Sequence, residues 1–190
     1  MIENLGDLPE MTRRWLAPLK AADPELYGEL AGSLVIDSAT DRVAERLPAG
    51  VSEALSRVDL RGKEIGALRF APAPGDAAVE QITAYDERIR QDNVEGGLVF
   101  VGEFGAGNVF VSPQGVGLLD PIASPPRIRA FSKTFSGFLM VQANAYDAYK
   151  RFIVKAKDEA AYQAAASDCA AIGAFLDADA PAIFDTQLHA

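Results

Sequence analysis

Met11, Trp15 and Leu19 stand four residues apart within 8–22, the apolar stripe of an amphipathic helix, and Pro18 is expected to kink or divide it. A further short turn is expected at 25–31. Asp37 or Ser38 is placed to cap a helix running to Arg46 with Val43 and Leu47 on its apolar side, and Pro48 to open another carrying Val51, Leu55 and Val58. The pattern then changes period. Residues 62–70 alternate well enough for one strand, which 71–75 (APAPG) would end. Asp76 can cap a helix over 77–91 that sets Val79, Ile82, Tyr85 and Ile89 on one side.

The segment 97–140 is the most informative. Its run at 98–101 is apolar without alternation, as in a strand covered on both faces, and 109–111 and 116–119 follow at hairpin spacing. A compact antiparallel meander is expected. The glycines of 102–108 join strand to strand, so a positive φ or a bulge explains them better than phosphate binding, which needs a helix directly after them. Pro125 and Pro126 precede an alternating stretch at 127–131 that suits an edge strand. Thr134 is expected to cap a helix carrying Phe135, Phe138 and Leu139. Residues 145–176 read as mostly helical with a break near Lys157 and Asp158. These elements define an α+β fold, a mainly antiparallel sheet flanked by helices, with a helical C-terminal region.

Composition supports a real core: 190 residues, 49% apolar and 24% charged. No run approaches the roughly 20 apolar residues of a membrane span, and the first residues lack the basic and apolar blocks of a signal peptide. The cytoplasm is the expected location. Eighteen Lys and Arg against 27 Asp and Glu give a charge of −9, which disfavours nucleic acid and anionic membranes and favours basic partners. The excess is uneven, since Asp147 is the only acid between Arg127 and Lys157.

Catalytic chemistry finds little support. Cys169, the single cysteine, excludes an internal disulfide and sits among alanines like a small buried residue. His189 is penultimate, and without a second histidine no conventional His-rich metal site can form. No cofactor or metal is expected. Ser132 and Ser136 have no neighbouring histidine base. Glu103 and Asp120 could meet at one end of the meander as a carboxylate pair, although solvated turn positions are the commoner explanation. Most phenylalanines read as core; Phe104, inside a glycine loop, is the one expected to be exposed as a partner anchor.

The order of elements resembles the SUKH superfamily of Smi/Knr-like proteins. The likeness rests on VAERLPAGVSEAL (43–55) with its Leu-Pro corner, the glycine-marked segment 62–70, FVGEFGAGNVFV (100–111) followed by a short strand ending at Asp120, and KTFSGFL (133–139). It departs from the family in DLRG (59–62) after the second helix and in Gly137. The resemblance implies a SUKH-like core at 38–141, with an N-terminal helical addition at 1–37 and a C-terminal helical extension at 142–190 packed on the core. It also implies a noncatalytic protein-binding module, above all an immunity protein that neutralises a cognate bacterial toxin such as a nuclease. The expected contact residues are Glu103, Phe104, Asn108 and Asp120. The alternative is a small-molecule-binding or hydrolytic domain with a cleft at Glu103, Asn108 and Asp120.

Overall fold

Asp23 ends one helix and starts the next. Its N–H closes the last turn of α1 (Leu8–Ala22) on the Leu19 carbonyl at 2.7 Å, and its carboxylate accepts from Leu26 N at 3.0 Å at the start of α2 (Pro24–Leu34). A capping aspartate followed by proline is a strong start signal, and it makes α2 longer than the turn expected at 25–31. Nor does Pro18 divide α1, which runs unbroken through it. Burial of Leu8, Met11 and Leu16 stabilises this helix more than its local propensity does.

The structure, a computed structural model, describes residues 1–40, 49–70, 99–105, 107–112, 115–120, 127–155, 160, 163–164, 166–168 and 170–171. The expected helix at 77–91, Val43 and Leu47 of the helix expected to reach Arg46, Pro48, the break near Lys157 and Asp158, Cys169 and His189 lie outside the described residues.

A two-stranded ladder follows α2, with β1 (Asp37–Ser38) antiparallel to β2 (Val58–Asp59). Asp37 and Ser38 are therefore strand residues rather than helix caps. Val58 belongs to β2, because α3 (Ala49–Leu55) ends before it. Arg61 then folds back on Asp59, its Nε donating to Oδ1 at 2.8 Å and a terminal nitrogen to Oδ2 at 2.6 Å, which holds the Asp59 carboxyl below its ordinary range. The stretch 62–70 is a hairpin, not one strand: β3 (Glu64–Ile65) and β4 (Leu68–Phe70) reverse at Gly66, whose φ of 58° favours glycine.

Four longer strands complete an antiparallel sheet of order β3-β4-β5-β6-β7-β8: β5 (Val99–Phe104), β6 (Gly107–Ser112), β7 (Gly115–Asp120) and β8 (Arg127–Ser132). The meander and the edge position of β8 match expectation. The supposed loop at 102–108 is mostly strand, reversing at Gly105 (φ 58°). The ladder shifts register between Phe100 and Gly102, and a Cβ at Gly102 would run into the Arg69 carbonyl oxygen. Both glycines thus answer to backbone geometry.

α4 (Phe135–Lys155) covers one face of this sheet. Thr134 caps it as expected, its Oγ1 accepting from Gly137 N at 3.0 Å. Phe138 lies 5.9 Å from Phe104 and 6.2 Å from Phe131 between ring centroids. Buried Gln142 donates to the Ile65 carbonyl at 2.8 Å. Asn144 clasps Ile2, accepting from its N–H at 2.8 Å and donating to its carbonyl at 2.9 Å. One hydrophobic cluster therefore joins Ile2, Leu5, Leu8 and Met11 to the sheet and to Ala143, Ala145 and Ala148 of α4. The 141/142 boundary falls inside α4.

Gly102→Ala should lower unfolding free energy by about 3 kcal/mol, whereas Gly28→Ala, in open space inside α2, should raise it by about 0.5–1 kcal/mol; urea denaturation reads both. Asp59 has a depressed folded pKa, so its pairing with Arg61 stabilises the fold above the ordinary carboxylate pKa of 3.8 and is lost as pH falls through the folded value. Asp59→Asn should flatten the acid limb of a stability-against-pH curve.

Candidate functional site

Strand parity sorts the sheet into two faces. Phe104 packs on α4, and its register partners Leu68 and Gly107 share its side, as do Gly102 and Val109 two positions on. The intervening positions face the other way. There the register aligns Glu64 of β3, Arg69 of β4, Glu103 of β5 and Asn108 of β6 as successive Cα partners. At about 4.8 Å between strands, this row spans roughly 14 Å. Arg69 Nε donates to Glu64 Oε1 at 3.0 Å, and the two side chains are 67% and 33% exposed. Glu103 is exposed and Asn108 half-buried. Further along this face Phe100 and Phe110 are buried and meet edge to face, 5.0 Å between centroids.

The row presents two carboxylates, a guanidinium and a carboxamide on an extended sheet face. It offers both donors and acceptors, with one net negative charge. These groups can donate to and accept from polar groups brought against them, beside the buried Phe100 and Phe110, and they are carried on strands rather than on loops.

Of the four expected contact residues, Glu103 and Asn108 are brought together as direct register partners. Asp120 does not share their row. Asn108 pairs with Leu119, and Asp120, one step on at the alternate register position, pairs with Arg127. Phe104 is corrected outright: it is fully buried, with Phe131 and Phe138 at 6.1 and 5.9 Å. The cause is parity, since once 99–104 is a strand an exposed Glu103 puts its neighbour on the inner face. Glu64 and Arg69 were missed as site residues. The signal was present in the alternation Leu68, Arg69, Phe70, whose polar member had to face away from the core.

Ser132 is buried and its Oγ accepts from Thr134 N at 3.2 Å, a local bond at the start of α4. Among the described residues, no three His, Cys, Asp or Glu side chains gather to hold a metal, and no helix is long and apolar enough to cross a membrane. No family model, curated protein or solved structure matches the chain.

Phe104→Ala should cost about 3–5 kcal/mol of stability, as a large core deletion does, while Glu103→Gln should change stability by no more than about 1 kcal/mol. Thermal or chemical unfolding of the two variants separates a core residue from a surface one.

Proposed function

We propose that the chain is a noncatalytic protein-binding module of SUKH type, an immunity protein that neutralises a cognate bacterial toxin by binding it directly. The observation that carries this reading is the row Glu64, Arg69, Glu103 and Asn108 on the face of the sheet turned away from α4. Its net negative charge, within a chain of −9, suits a basic partner and speeds association by electrostatic steering. A nuclease, whose substrate groove must be basic, is the toxin class that best fits. The resemblance in motif order supplies the biological setting. Recruitment to a cytoplasmic toxin places the working protein in the cytoplasm.

The alternative is a small-molecule-binding or hydrolytic domain using a cleft near Glu103, Asn108 and Asp120; Glu103 and Asn108 are direct register partners, and Asp120 follows Leu119, the partner of Asn108. A small-molecule site using Glu103 and Asn108 remains the second reading.

A pull-down with a candidate toxin domain from a neighbouring gene should recover a complex. Glu103→Lys should weaken it at least about tenfold, with a shallower dependence of affinity on salt. Unchanged affinity and salt dependence would remove the row from the interface. Failure to bind any such toxin, together with a small ligand carried through purification, would favour the second reading.

A further inference from the structure

A surface of opposite sign lies where α1 meets α4. Asp147 is 8% exposed, and its carboxylate accepts from Trp15 Nε1 at 2.8 Å. Arg151 Nε lies 3.2 Å from Oδ2, and the Arg14 guanidinium 3.8 Å from Oδ1. Lys150 Nζ donates to the Trp15 carbonyl at 3.1 Å and lies 5.7 Å from the Tyr146 ring centroid. Burial pushes the Lys150 amine below its ordinary pKa, and Asp147 opposes that shift. Tyr146 in turn meets Trp15 edge to face at 4.9 Å and stacks with Tyr149 at 6.4 Å. Helical spacing explains the gathering, because Tyr146 and Lys150, and Asp147 and Arg151, are each one turn apart.

A structural role for Asp147 needs one counter-charge, and three cations surround it. The excess sits on a chain whose overall charge is −9. The Arg14 and Arg151 side chains are 60% and 53% exposed. Arg14 is too far from Asp147 for a hydrogen bond, and Arg151 reaches it through Nε, so both present guanidinium donors outward. Trp15, Tyr146 and Tyr149 are half-buried beside them. Tryptophan, tyrosine and arginine in one cluster are the residue types that dominate binding energy at protein interfaces.

We propose that this patch docks an acidic peptide segment of a second protein. Its carboxylates would pair with Arg14 and Arg151, and its apolar side chains would cover Trp15 and Tyr149. A short carboxylate segment suits a local cationic patch on an acidic protein, whereas the long polyanion of a nucleic acid would meet the repulsion of the whole chain. The patch is built on α1 and α4 rather than on the sheet, and its argument does not depend on the toxin reading; it adjoins the row at Glu64, whose charge, behind burial and Tyr149, helps raise the Tyr146 hydroxyl pKa. An immunity protein so equipped would hold two partners of opposite charge.

Trp15 is the single tryptophan of the chain and stands within the patch, so its emission reports occupancy directly. The probe is a short labelled peptide of Glu and Asp interspersed with Phe and Leu, titrated into the full chain at low and physiological salt. The same peptide with Gln and Asn replacing the acids is the control. Saturable change in Trp15 emission and in probe anisotropy is expected for the acidic peptide alone. Arg14→Glu with Arg151→Glu should weaken binding at least about tenfold, and Arg14→Gln with Arg151→Gln, which adds no repulsion toward Asp147, about threefold or more. Glu103→Lys should leave it unchanged. No binding, equal binding of the neutral peptide, tighter binding of a single-stranded oligonucleotide, or wild-type affinity in the Gln variant with an unaltered melting profile would each overturn the proposal.

Discussion

Burial of the apolar face of α4 on one side of the sheet is the constraint from which the remaining architecture follows. Phe138 packs against both Phe104 and Phe131, which also meet each other, and Phe135 meets Phe70 edge to face at 6.3 Å. Two buried carboxamides make that docking specific, because each would be costly without its backbone partner. Gln142 fixes the β3 edge of the sheet, and Asn144 draws the N-terminal segment onto the middle of α4. Thr12 continues the same logic, accepting from Ile36 N at 3.1 Å and so tying α1 to the approach to β1. The start of the chain is thereby part of the core.

Closing one face of a sheet determines what the other can present. With Leu68, Phe104 and Val109 committed to α4, their strand neighbours Arg69, Glu103 and Asn108 must point away, in register across three strands. Tight backbone contact holds that register, since the chain passes so close at Gly102 that no Cβ fits. The backbone positions of the outer row are therefore fixed by the strands that carry them. The helical layer carries a separate array around Asp147, opposite in charge. Among the described residues, a net acidic chain thus carries a local cationic patch that total charge alone conceals.

Features governed by neighbours in sequence were legible. The Thr134 cap, the hairpin spacing of β5 to β7, the edge position of β8 and the structural use of the glycines are set within a few residues. The errors arose where alternation is ambiguous or contacts are distant. Alternation persists through the Gly66 turn, so the β3–β4 hairpin read as one strand, and the glycines around Phe104 suggested a loop that β5 and β6 in fact absorb. The clasp of Ile2 by Asn144 joins positions 142 apart and has no local signature. The pairing of Glu103 with Asn108 in the candidate row was legible because both flank the tight reversal; that Glu64 and Arg69 align with them follows only from strand register.

Chemical-shift mapping of the backbone and of the Asn108 side-chain amide, as a basic toxin domain is titrated in, tests the central claim most directly. Binding through the outer face predicts the largest shifts at Glu64, Arg69, Glu103 and Asn108, with Trp15 and the residues around Asp147 unchanged. Shifts confined to α1, α2 or α4, with the row unperturbed in a saturated complex, would contradict it.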